Sequence, residues 1–276
     1  MPLGFRRQTQ MSISRLNYKE SIMVARTSAG FTLVEIAIVL VIIGLLLGSV
    51  LKGQELIASA RVRNLIALQD GAKAAFYGFQ DRYRALPGDY SSASKNINCP
   101  ANPCLNGNGN GQIEINATST NGSVVAEYLL TWTHLSAAGF INGSFQMQAT
   151  DTSATAANSP NSPYGVYLEL AYDGWYGSGQ TGFTMSGSGP SSPRHTVKTG
   201  NEVPVEITAE VDRKIDDGRP YSGSFQFSMY APGSNTPPTA LGGSAACVVV
   251  RFVGGVVTYS WNLPGKSANC GAASFL

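Results

Sequence analysis

The chain has 276 residues, 43% of them hydrophobic and only 13% charged, enough for one membrane segment and one sizeable folded head. The net charge of +2 hides a segregation: residues 1–30 carry about +4 and the remainder about −2. A mildly acidic body with no lysine or arginine between Lys95 and Arg194 argues against phosphate-backbone binding, so no nucleic acid is expected as a partner.

Arg6, Arg7, Arg15, Lys19 and Arg26 precede an apolar run from Phe31 to Leu51. As a helix, that run covers about 30 Å, the thickness of the hydrocarbon core. The basic flank puts the N-terminus in the cytoplasm and the head outside. Met11 and Met23 are alternative starts, and a start at Met23 would leave the short leader MVARTSAG. One charge, Glu35, lies inside the run. A carboxylate there costs on the order of 3 kcal/mol even on the lenient insertion scale, so it needs a partner.

The stretch Gly30-Phe31-Thr32-Leu33-Val34-Glu35, followed by the apolar run, resembles the processing site of type IV prepilins and of the pseudopilins of type II secretion. The resemblance implies a 1–30 leader, cleavage by a prepilin peptidase between Gly30 and Phe31, and N-methylation of Phe31. It implies assembly through Phe31 and Glu35, the glutamate pairing with the terminal amine of a neighbouring subunit. The implied partners are the peptidase, other pilin or pseudopilin subunits and an inner-membrane assembly platform. The implied location is the bacterial inner membrane with a periplasmic head, then an extracellular or periplasmic filament. An uncleaved signal anchor would explain the span but neither Gly30-Phe31 nor Glu35.

Beyond Leu51, apolar residues from Leu56 to Tyr83 recur at spacings near three and four, with charges between them, until Leu86-Pro87-Gly88. The expected organisation is a leader (1–30), a transmembrane helix (31–51), its amphipathic continuation (52–86) and a globular head (87–276). A helix from Phe31 to Ala85 would be about 80 Å long. The expected fold class is α+β: a long N-terminal helix, membrane half and amphipathic half, packed on an antiparallel β-sheet head, pilin-like. Gly44, Gly48 and Gly53 read equally as bend points or as close-packing positions between membrane helices.

Asp89 to Gly122 reads as a turn-rich connection. Its Asn-Gly repeat over Asn106–Gly111, with Glu114 just after, is spaced like a calcium loop but lacks carboxylates at the early ligand positions. Tight turns with asparagine in left-handed conformations are the favoured reading. Ser123 to Phe140 reads as a second helix with Gly139 as its cap, and His134 off its apolar stripe as a solvated or capping residue. Strands are expected at Val166–Tyr172 and Thr181–Met185; the Tyr172–Tyr176 aromatics read as an exposed contact patch or, the favoured reading, as a hairpin turn whose rings fold back onto the sheet. Pro204 to Gly218 reads as a short helix with Ile207, Val211 and Ile215 on one face. Asp212, Asp216 and Asp217 at its end, like Glu114, are weak cation candidates. A solvated helix end is the blander alternative, so no cofactor is expected, with calcium the one candidate. Phe225 to Tyr230 alternates as a strand, and Ala246–Val253 with Val256–Trp261 around Gly254-Gly255 reads as a hairpin.

Four cysteines allow three pairings. Cys99–Cys104 and Cys247–Cys270 are the expected ones, the second resembling the C-terminal disulfide loop of pilins. Zinc is the alternative, without partner ligands. His134 and His195 are isolated and no nucleophile elbow or phosphate loop is present, so no enzyme is expected. The function expected from the resemblance is a minor pilin or pseudopilin, a structural filament subunit. The alternatives are a filament-borne adhesin or DNA-uptake tip, or an unpolymerised membrane-anchored protein.

Overall fold

The computed structural model describes residues 30–99, 104–115, 118–120, 123–177, 192–228 and 247–276. The expected strand Thr181–Met185 lies outside them, as do Met229, Tyr230 and Ala246 at the ends of two others. The chain divides into two compact units, one ending at Leu51 and one running Lys52–Leu276.

Helix α1, Leu33–Tyr83, contributes to both units. In the first unit its apolar side chains are exposed all round, from Leu33 to Leu51. Among the described residues it is the one helix long and apolar enough to cross a membrane. In the second unit it turns amphipathic, burying Val62, Leu65, Gln69, Ala72, Ala75, Phe76 and Phe79. It ends before Pro87, where Arg84 and Gly88 take left-handed conformations at φ 53° and 87°.

Helix α3, Glu127–Ala137, packs Tyr128, Leu129, Trp132 and Leu135 into the core that holds Phe76 and Phe79. It closes with a Schellman motif: Phe140 N–H donates to Leu135 O at 2.9 Å and Gly139 N–H to Ser136 O at 3.1 Å, Gly139 standing at φ 80°. The expected helix start at Ser123 is corrected. Ser123–Val125 is strand β2, paired antiparallel with β1, Thr118–Thr120. β-branched Val124 and Val125 favour the strand. The expected plain connection from Asp89 to Gly122 therefore holds β1 and also the single-turn α2, Ala93–Asn96.

Among the described residues the largest sheet of the head is four-stranded and antiparallel, in the order β3-β4-β8-β5. β3 is Glu169–Asp173, β4 Arg194–Lys198, β5 Phe225–Phe227 and β8 Ala272–Phe275. The expected Val166–Tyr172 strand is corrected to this later start. Val166 O and Tyr167 instead pair locally with Ser162 N and Asn161, and so leave the sheet. On one face, Leu170 and Val197 join the core formed with α1 and α3. The fold is thus α+β, a long apolar N-terminal helix followed by an antiparallel head.

Helix α4, Val205–Ile215, is shorter than the expected Pro204–Gly218. Pro204 is its N-cap, and its buried side is Val205, Thr208, Ala209, Val211 and Asp212, with Ile207 and Ile215 only half-buried. The hairpin β6 (Val248–Val253) and β7 (Val256–Trp261) turns at Gly254-Gly255, at φ 58° and 82°, values only glycine takes freely. Disulfides join Cys99 to Cys104 and Cys247 to Cys270.

Candidate functional site

Gly30, Phe31 and Glu35 sit at the start of α1, all exposed. Thr32 is the residue that begins the helix: its carbonyl accepts from Ile36 N–H at 3.3 Å. Its hydroxyl oxygen accepts from Glu35 N–H at 3.2 Å, while Glu35 Oε2 accepts from Thr32 N–H at 2.8 Å and from its hydroxyl at 2.9 Å. This is a capping box, in which two orphan donors of the first turn are satisfied reciprocally. The signal was in the sequence as Thr-x-x-Glu before an apolar run. The same glutamate also reads as a charge in lipid, and that reading by itself does not reveal the cap. The carboxylate thus has an intrachain partner in Thr32, which supplies hydrogen bonds but no positive charge.

The weak cation candidates fall in two places. The Asn-Gly loop wraps its backbone donors around a carboxylate: Asp89 Oδ1 accepts from Gly109 N–H at 2.6 Å and Asn110 N–H at 3.0 Å, and Oδ2 from Gly111 N–H at 2.8 Å. Burial pushes Asp89 up despite these three donors. Asn108 Nδ2 donates to Glu114 at 2.9 Å. Glu127 accepts from Asn108 N–H and Glu114 N–H, and burial pushes it to about 7. The expectation of left-handed asparagines is corrected: Gly109 and Gly111 take positive φ, while Asn108 and Asn110 make Asx turns onto Asn110 N–H and Gln112 N–H.

Asp212, Asp216 and Asp217 come together, their oxygens within 4.8 Å of one another, and Glu114 is not part of that group. Asp216 accepts from the N–H groups of Ser224 and Phe225, which fastens the end of α4 to β5. Asp217 accepts from Arg219 N–H and the Ser222 hydroxyl. Asp212 is buried and accepts from Trp261 Nε1–H at 2.6 Å; burial first, then its acidic neighbours, pushes its carboxyl to about 7.

His134 is corrected from a solvated residue to a fully buried one. Its Nδ1 accepts from Gly88 N–H at 2.9 Å, so the proton lies on Nε2, which faces Leu105 O at 3.0 Å. Burial holds its pKa down at about 4. The ring is a neutral strut between α3 and the two flanking loops. Tyr172 and Tyr176 do fold back, against His195 and Phe275 at ring distances of 4.9 and 4.8 Å.

With the helix start described, residues 25–51 match the family model for the prokaryotic N-terminal methylation motif. The chain carries the type IV pilin and pseudopilin signature. The match covers the segment containing Gly30, Phe31 and Glu35 and the exposed apolar half of α1. No curated protein and no solved structure matches the chain.

Proposed function

We propose that this protein is a structural subunit, a minor pilin or pseudopilin, of a type IV pilus-like or type II secretion-like filament. The observation that carries the reading is the methylation motif at residues 25–51, of which residues 33–51 form an apolar, exposed helix start. A prepilin peptidase would cut after Gly30, leaving Phe31 as an N-methylated terminus beside the capped Glu35. Before assembly the helix anchors the subunit in the inner membrane with the head outside it. In the filament, apolar halves of α1 from several subunits exchange lipid contact for helix contact.

Glu35 then pairs with the terminal amine of an adjacent subunit. Burying either charge alone is strongly unfavourable, so the pair also selects the axial register. The large head, with its Gly- and Ser-rich segments, suits a minor or surface-decorating subunit rather than the bulk of the polymer. N-terminal sequencing of the protein recovered from cells tests the reading. A methylated Phe31 terminus is expected; recovery with residues 1–30 still attached overturns it.

A further inference from the structure

A cleft of about 880 Å³ opens to solvent in the head, between the last turns of α1, the turn that follows them and the ends of β3 and β4 where Tyr172 pairs with His195. Ligand sites usually measure about 300–1,000 Å³. Four tyrosines line the cleft: Tyr77 is 50% exposed, and Tyr83, Tyr90 and Tyr172 are half-buried. Other rings hold these rings in place. Tyr83 stands 5.6 Å from Tyr90, and Tyr77 connects to Tyr172 through Phe76 and His195 in steps of 5.4, 5.9 and 4.9 Å.

Two exposed guanidiniums, Arg84 and Arg194, complete the lining. Arg194 lies over the Phe275 ring, 5.4 Å from its centroid. Arg84 directly follows α1 at φ 53°, a place where glycine is conformationally easier. The nearby acids leave these cations available. Asp89 gives its oxygens to the backbone N–H groups of Gly109, Asn110 and Gly111. Asp81 meets Arg84 at 3.3 Å, but both side chains are in water, where such a pair is weak and exchangeable.

Tyrosine faces suit the C–H faces of a sugar ring, which are apolar and weakly positive against the negative face of the aromatic system. Phenol hydroxyls, with Gln80 and Ser91 beside them, suit a sugar's hydroxyl groups. Guanidinium takes a carboxylate in a two-pronged fork. Two arginines give too little positive charge for a run of phosphates, and so polar a wall is a poor host for a lipid tail. We propose that this cleft binds an acidic saccharide, an oligomer of uronic acid residues, with sugar rings on the tyrosines and carboxylates at Arg84 and Arg194. The cleft lies wholly in the head, so the proposal stands or falls apart from cleavage at Gly30 and from filament entry.

The test is calorimetric titration of the full chain, held in a detergent without a sugar headgroup. The probes are oligomers of galacturonate, of guluronate and of hyaluronan, with maltooligosaccharide and oligothymidylate as controls. Saturable binding of a uronate oligomer is expected, weakened by salt, with both controls at least about tenfold weaker. Arg84→Gly removes the guanidinium and relaxes the left-handed backbone. Its melting temperature should hold or rise while the affinity falls about tenfold. Tyr77→Ala, at an exposed position, should weaken binding with the fold intact. Failure of all three uronate oligomers to bind overturns the proposal, as does equal binding of either control. Binding unchanged in both variants overturns the placement of the site.

Discussion

Glu35 Oε2 accepts from the Thr32 backbone N–H at 2.8 Å, and Thr32 Oγ1 accepts from Glu35 N–H at 3.2 Å. The two residues therefore do separable jobs. The box requires the shape of the Glu35 side chain, whereas pairing with a neighbour's amine requires its charge. Glu35→Gln keeps an oxygen in place for the cap and removes the charge. It should insert and be cleaved normally yet fail to enter filaments, read as loss of the protein from the sheared fraction with undiminished membrane pools. Thr32→Ala should cost about 1 kcal/mol of local helix stability and leave incorporation largely intact. Normal incorporation of Glu35→Gln would remove the pairing mechanism.

How much of this was readable beforehand depended on whether a segment's pattern is set locally. The span, the α1 amphipathic half and the β6–β7 hairpin follow from period and turn chemistry in their own residues. β8 does not: Ala272, Ala273 and Ser274 are small and buried on both faces between β4 and β5, so no alternation marks them. β4 reads as polar because its buried Lys198 is compensated by β3, across 25 to 29 residues of sequence. His134 fails for the same reason, since Gly88 and Leu105 supply its partners from 46 and 29 residues away. In the candidate site, both the motif around Gly30 and its cap are local, the cap lying in Thr32-x-x-Glu35.

His134 makes the head sensitive to acid. Its folded pKa, about 4, lies below the ordinary histidine value. The unfolded chain takes up a proton that the folded one refuses. The contribution is therefore fully present above about pH 6.5 and is lost as pH falls towards 4, up to about 3 kcal/mol. Denaturant midpoints of the full chain in detergent, followed from pH 7 to 4, should fall more steeply for wild type than for His134→Gln. Parallel profiles would mean that the ring titrates freely.

Asp212 acts in the opposite sense. Burial raises its folded pKa to about 7, above the usual carboxylate value. Its contribution is full below about pH 4 and is lost as pH rises towards 7. Asp212→Asn keeps an acceptor for Trp261 Nε1–H and removes the charge that faces Asp216 and Asp217. The variant should be more stable than wild type at pH 8, on the order of 2 kcal/mol, and close to it at pH 4. Thermal melts at the two pH values check this; greater destabilisation at pH 8 than at pH 4 would show that the carboxylate is needed in its charged form.

The two disulfides should differ in weight. Cys247–Cys270 closes a separation of 23 residues and ties the start of β6 to the residue two before β8, whereas Cys99–Cys104 closes only 5. On chain entropy alone, removing the longer link costs about 3 kcal/mol and the shorter about 2 kcal/mol. Both pairs are buried, Cys99 and Cys104 in the main core and Cys247 and Cys270 beside Val205, Phe227 and Trp261, so loop length sets the difference. Cys247→Ser with Cys270→Ser should therefore lower the melting temperature more than the Cys99→Ser, Cys104→Ser pair and loosen the β6–β7 hairpin. Proteolysis near Gly254-Gly255 reads that loosening directly. Should the Cys99–Cys104 variant prove the less stable, the fold's C-terminal anchor would have to be the backbone pairing of Val203 with Cys270 rather than the disulfide beside it.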